Sequence, residues 1–287
     1  MWLLKKPGVA SASKDLDEAL TRRNGTTVYA LSAAEKTLIT AAYALYDRQK
    51  GRHHVDLETC GLTLPCRDAI HIGYNQVQKS GRLSSLRQTL LDHAETCPFC
   101  GFAEATQLDH YLPKEDYKGL SIYGRNLVPA CGPCNNAKRQ HVGGAADEFV
   151  HPYFDTLPNV SFLVATVTMR GAALSATFSI DPAGLTADLA ASLDFQMDRM
   201  RLNARYKKQL NLFLFSQRTG MLEVYDSGGA IGLKRYLERS ASDLAQDFGR
   251  NDWRAALMRG LARSTAFCGG GAKRYFARRP RRRRAAA

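Results

Sequence analysis

The sequence predicts an α+β chain that is predominantly helical, with a central strand–strand–helix module closed by four cysteines, helical regions on both sides and one small β-hairpin. Three observations carry this. Capped segments with apolar residues at helical spacing fill much of residues 1–92 and 185–264. Two Cys-x2-Cys pairs, Cys97/Cys100 and Cys131/Cys134, bracket residues 101–130. Two β-rich runs, VATVTM and SATFSI, flank RGAAL within residues 159–180.

In chain order, residues 31–51 (LSAAEKTLITAAYALYDRQKG) read as a helix marked at both ends. Ser32 and Glu35 form a capping-box pattern, Leu31 is placed to act as the staple, and Gly51 suits the stop. Leu38, Ile39, Ala42 and Leu45 supply its apolar face. A second helical stretch, about 67–93, runs into the first cysteine pair. After the hairpin, 185–217, 231–246 and 251–264 read as helices. Four regions result: a helical N-terminal region 1–92, the cysteine module 93–150, an α-rich region 151–268 carrying the hairpin, and a glycine hinge with an Arg-rich tail at 269–287. No internal repeat is present.

The 287 residues suffice for one large domain or two modest ones. No run approaches the roughly 18 apolar residues of a membrane helix, and MWLLKKPG turns basic too early for a secretory signal. The expectation is an intracellular, cytoplasmic protein without membrane partners. Of the formal charge of +13, eight units lie in residues 273–284 (KRYFARRPRRRR), which contain no acid. Such a tail is a solvated polycation, suited to nucleic-acid contact or to non-specific charge.

Seven cysteines are an odd number, and a reducing compartment favours metal-bound thiolates over a disulfide framework. Each Cys-x2-Cys is spaced for two sulfurs to bind one ion, and four thiolates make a closed tetrahedral zinc site. Gly101 and Gly132 suit the tight turns. With all four positions filled by protein, this zinc is structural and not the catalyst. Cys60, Cys66 and Cys268 remain as buried thiols, or as a second site with His53 and His54.

Within the closed loop, QLDHYLPK places Asp109 and His110 side by side among core-like residues. A carboxylate with a carboxamide oxygen is a hard-oxygen site for Mg²⁺ or Mn²⁺, and Asn135, directly after the fourth cysteine, is the natural second ligand. His110, with a reference pKa near about 6.5, is suited to take a proton from water. Neighbouring strand residues point to opposite faces, so both reach one site only where the strand ends, which Pro113 favours. The plainer readings are a structural histidine at His110 and a helix N-cap at Asn135.

On these residues the chain resembles the HNH endonucleases of the ββα-metal type, in their cysteine-bearing branch. The resemblance spans about 95–140. Its first letter matches Asp109-His110, its second Asn126 in GRNLVPAC, and its third Asn135 in CGPCNNAK. The third letter is Asn rather than His, and it is doubled, leaving Asn136 as a rival ligand. The resemblance implies hydrolysis of DNA phosphodiester bonds with one divalent cation, His110 as general base, and 5′-phosphate and 3′-hydroxyl products. Asn126 would hold the loop that orients His110, or serve as an ordinary turn residue. Lys138, Lys114 and Arg139 are candidate phosphate contacts, or solvated surface charges.

The wording LDHYLPK…NLVPAC..CN..K, followed by HPYFD at 151–155, is similar to HNH proteins of bacterial anti-phage systems, including Septu-type pairs with an ATPase. That likeness implies a regulatory partner. HPYFD also suits a packing corner with His151 and Tyr153 buried. A different class of function, an inactive zinc-containing nucleic-acid binder, predicts loss of one of the three letters, and all three are present.

Overall fold

The structure is a computed structural model, and it describes residues 3–22, 24–144 and 147–277. It divides into two compact units. The first comprises residues 1–157 with 191–200, and the second residues 158–190 with 201–287. The boundaries expected at 92 and 150 both fall within the first unit, which holds the helical N-terminal region and the cysteine module together.

The first unit begins with α1 (Ala12–Ala19) and α2 (Ala33–Arg48). The capping box at α2 is complete, with Ser32 Oγ accepting from Glu35 N at 3.2 Å and Ser32 N donating to Glu35 Oε2 at 2.8 Å. Beyond its end, Gly51 takes φ +78°, and a Cβ there would lie 2.2 Å from His151 Cδ2. Glycine is therefore needed both for the left-handed backbone and for the close approach of His151.

The single helix expected over 67–93 is broken. A short turn α3 (Asp56–Thr59) precedes α4 (Leu64–Gly73), a 3₁₀ turn follows at Tyr74–Val77, and α5 spans Ser84–Asp92. The cause is a sharp reversal at Gly81, where a Cβ would sit 2.1 Å from the Gln76 carbonyl oxygen. Helical periodicity persists on both sides of a break that only the backbone requires.

The strand–strand–helix order is as expected. β1 (Gln107–His110) pairs antiparallel with β2 (Leu127–Ala130), in register Asp109↔Val128 and His110↔Leu127, and α6 (Gly132–Lys138) follows directly. The HPYFD corner packs beneath them. His151 is fully buried, and Tyr153 Oη donates to Leu127 O at 3.0 Å, bracing β2.

In the second unit, β3 (Leu163–Arg170) and β4 (Ala173–Ile180) form the expected hairpin, turning at Gly171 with φ +60°. The helical run 185–217 is two helices, α7 (Ala187–Arg199), most of whose residues belong to the first unit, and α8 (Leu202–Ser216). α9 (Arg218–Phe248) is interrupted at Gly229, whose φ of 58° and ψ of −152° lie outside any helix. α10 (Trp253–Arg263) lies so close to β3 that a Cβ on Gly260 would meet the Ala165 carbonyl oxygen at 2.4 Å.

The glycine hinge expected at 269–271 is instead a packed π-type turn, Phe267–Gly271, leading into α11 (Ala272–Ala277). Ala272, Tyr275 and Phe276 are buried, and their apolar surface holds the segment down. Most of the Arg-rich tail, 278–287, lies outside the described residues. Among the described residues, no helix is long and apolar enough to cross a membrane.

Candidate functional site

The turns after β2 and before β1 bring four sulfurs together. The Sγ atoms of Cys97, Cys100, Cys131 and Cys134 all lie within 4.8 Å of one another, and all four residues are buried. Cys100 Sγ and Cys131 Sγ are 3.9 Å apart. A tetrahedral ion with bonds of about 2.3 Å requires sulfurs roughly 3.8 Å apart, so the cluster fits a structural zinc. Burial pushes the Cys97 thiol up, whereas the sulfurs of Cys100, Cys134 and Cys97 pull Cys131 well below the thiol range. Cys60, Cys66 and Cys268 are buried thiols outside any disulfide. The alternative of a second site with His53 and His54 is not formed: among the described residues, the four-cysteine group is the one cluster of potential metal ligands.

Beside the zinc-type cluster, a cleft of about 620 Å³ opens on the β1 side. Asp109, His110, Asn135, Lys114 and Arg139 all line it, so five sequence-predicted residues converge. Adjacent Asp109 and His110 both reach it because β1 ends at His110 and the chain turns away toward Pro113. Tyr74 and Arg87, from the helical N-terminal region, complete a wall that the sequence motifs did not reveal.

His110 is 9% exposed. Its Nε2 lies 2.9 Å from the Ser121 carbonyl oxygen. A carbonyl can only accept, so Nε2 carries the proton and Nδ1 keeps its lone pair. Burial lowers the imidazole pKa to about 4, so the ring is neutral at physiological pH. The Tyr74 ring stands edge-on to it at 4.4 Å between centroids.

Asp109 is 4% exposed, and burial raises its carboxyl to about 6 despite Lys138. Its Oδ2 lies 3.2 Å from Lys138 Nζ. The contact is an ion pair outside hydrogen-bond alignment, and the same Nζ donates to the His110 carbonyl oxygen, 2.7 Å away. Oδ2 is therefore a buried carboxylate oxygen with no aligned hydrogen bond among the described residues. Such an atom is costly unless something further binds it. Lys138 itself is 1% exposed. The expectation that it contacts phosphate is corrected: it is the internal countercharge of Asp109 and a prop for the His110 backbone.

Asn135 occupies the first turn of α6, donating its own N–H to Cys131 O at 3.0 Å, and Cys131 holds the N-cap position. The N-cap reading of Asn135 is thereby excluded. Its Nδ2 donates to Gln107 Oε1 at 2.9 Å. Asn136 is exposed and does not line the cleft. The carboxamide oxygen of Asn135 and the carboxylate of Asp109 fit a hard divalent cation by donor type.

Asn126 is fully buried and does not line the cleft. Its Oδ1 accepts from Leu112 N at 2.8 Å and Tyr46 Oη at 3.1 Å, while Nδ2 donates to the carbonyls of Leu112 and Leu120. It ties together both ends of the loop that carries Ser121, the acceptor for His110. Lys114 Nζ lies 2.8 Å from His71 Nε2 and 3.3 Å from Glu115 Oε1. Arg139 is exposed at the mouth.

Among known proteins, the chain is 40% identical over 70 residues to the Ea31 protein of Escherichia phage lambda, a match covering 23% of each chain. It is 29% identical over 75 residues to the Septu protein PtuB of Bacillus thuringiensis, covering 26% of this chain and 28% of that one. The chain thus spans about a quarter of the length of the curated relatives it matches. The second is a distant, partial similarity to a defence-system protein. No family model and no solved structure matches.

Proposed function

We propose that this chain is a metal-dependent endonuclease of the HNH, ββα-metal class, acting on DNA phosphodiester bonds. One observation carries the reading: a buried neutral imidazole, its Nε2 proton committed to Ser121 O, shares a cleft with the Asp109 carboxylate and the Asn135 carboxamide. Nδ1 of His110 is the atom left to take a proton from water as it attacks phosphorus in line. Asp109 and Asn135 would hold Mg²⁺ or Mn²⁺, which supplies charge stabilisation to the transition state and the departing 3′ oxygen. Lys114 and Arg139 supply positive charge at the cleft, Asn126 keeps the Ser121 loop in place, and the zinc-type cluster sets the start of α6. Products would carry 5′-phosphate and 3′-hydroxyl ends.

A second reading, compatible with the first, is favoured by the partial similarity to a Septu protein: an anti-phage effector that cuts only with a partner such as an ATPase. Incubating plasmid DNA with the protein and Mg²⁺ or Mn²⁺ tests the first reading. Cleavage supports it. No cleavage by folded, zinc-loaded protein, alone or with its partner, would exclude it and leave an inactive nucleic-acid binder.

A further inference from the structure

Helix α5 contains a charge where its apolar stripe requires a hydrophobe. Leu83, Arg87, Leu90 and Ala94 follow one another at helical spacing, and all four are buried, Arg87 at 8% exposure. A guanidinium so far removed from water needs a counterion or a full set of acceptors. Arg87 has neither among the described residues. Its Nη2 donates to the Thr106 carbonyl at 3.0 Å and its guanidinium also meets the neutral Tyr74 hydroxyl, whereas Nε is buried with no acceptor and no carboxylate pairs with the group.

Neither acid of the cleft wall pairs with it. Asp109 is paired with Lys138, and Glu115 with Lys114. Arg87 nevertheless lines the cleft that holds Asp109, His110 and Asn135. Its anchor point, Thr106, donates its own N–H to Ala130 O at 3.1 Å, so the guanidinium is fastened to the edge of the same hairpin that presents Asp109. The arrangement is a fixed, desolvated cation lacking its anion.

We propose that Arg87 is a substrate-binding residue: its guanidinium takes the non-bridging oxygens of a backbone phosphate of the polynucleotide lying in the cleft. The planar fork suits a phosphate diester, and its cost is already met by the fold, since the side chain needs no ordering on binding. Lys79 and Arg139, also in the wall, add positive charge around it. This rests on the nuclease reading and extends it to a helix outside the strand–strand–helix module.

The test measures binding, not cleavage. A fluorescent DNA duplex is titrated with full-length protein, wild type, Arg87→Gln and Arg87→Lys, without added divalent cation and over a series of KCl concentrations. Zinc content and melting temperature are recorded for each. The expected result is roughly tenfold or greater weakening in Arg87→Gln, with a salt slope shallower by about one counterion and partial recovery in Arg87→Lys. Equal affinities and slopes for wild type and Arg87→Gln would overturn the anchor while leaving the nuclease reading intact. Loss of zinc or folding in both variants would assign Arg87 a structural role instead. Absence of DNA binding by the wild type, alone and with its partner, would remove both proposals. Competition by inorganic phosphate as strong, per phosphate, as by duplex would show a small-anion site and overturn the polynucleotide assignment.

Discussion

Inside the first unit, the Lys138 ammonium lies 3.2 Å from Asp109 Oδ2, with both side chains almost fully buried. The same ammonium donates to the backbone of His110. One lysine on α6 thus compensates the carboxylate and supports the His110 backbone, joining the helix that carries Asn135 to the strand that carries Asp109 and His110. Lys138→Met removes the countercharge of the buried Asp109 carboxyl and leaves the His110 carbonyl without its donor. It should destabilise the protein by about 3–5 kcal/mol, and the double variant with Asp109→Asn should recover part of that loss. Urea unfolding of the single and double variants measures both; an unaffected single variant contradicts the ion pair.

The hard-oxygen site makes a separate prediction. Asp109→Ala should abolish the dependence of cleavage on Mg²⁺ or Mn²⁺ concentration and remove the corresponding heat of Mn²⁺ binding in calorimetry. An unaltered metal titration would sink the ligand assignment.

Zinc binding by four thiolates is coupled to folding of the segment they close. Cys97→Ser should release zinc and lower the melting temperature. Because the cluster shares its unit with the N-terminal helices, the loss should extend to α2 and α5, measured as faster amide exchange there. A variant with unchanged zinc content and melting contradicts the structural role.

Burial of His110 also has a pH signature. Its folded pKa of about 4 lies below the ordinary histidine value of 6.5, so the unfolded chain takes the proton first as pH falls. Stability from this group is fully present above about pH 6.5 and is lost progressively down to about pH 4. Between pH 7 and 5 the loss is on the order of 2 kcal/mol. Asp109 works in the opposite direction, its raised folded pKa of about 6 making the protonated form more stable in the fold as pH falls through that value. His151, also buried and held neutral, acts with His110. Replacing His110 with Gln should therefore flatten the acid side of the stability curve, measured by urea melts at pH 7 and 5. An unchanged slope contradicts a buried neutral His110.

Much of this site is legible in the sequence because its parts are local. Cysteine spacing gives the cluster, Ser32 and Glu35 give a helix start, and QLDH followed by Pro113 gives a strand that ends at Asp109 and His110. Partners fixed by tertiary packing are less visible. Lys138 reads as a surface lysine, since nothing in CNNAKRQ tells that α6 turns that face inward. Tyr46, Tyr74 and Ser121, which respectively brace Asn126, flank His110 and fix its tautomer, come from segments distant in the chain or from a backbone carbonyl, which no side-chain pattern encodes. Arg87 did leave a signal, a charge at a stripe position of α5. The break at Gly81 and the packed turn at 267–271 are not legible in the sequence, because glycine marks flexibility and tight packing alike.

The most direct test compares cleavage of plasmid DNA by wild type and His110→Ala at matched zinc content in Mg²⁺ or Mn²⁺, with the partner added if cleavage requires it. The account predicts cleavage by wild type leaving 5′-phosphate and 3′-hydroxyl ends, and a loss of roughly 10²–10⁴ in rate for the variant with its fold and zinc intact. Equal rates for the two proteins would contradict the assignment of His110 as the base.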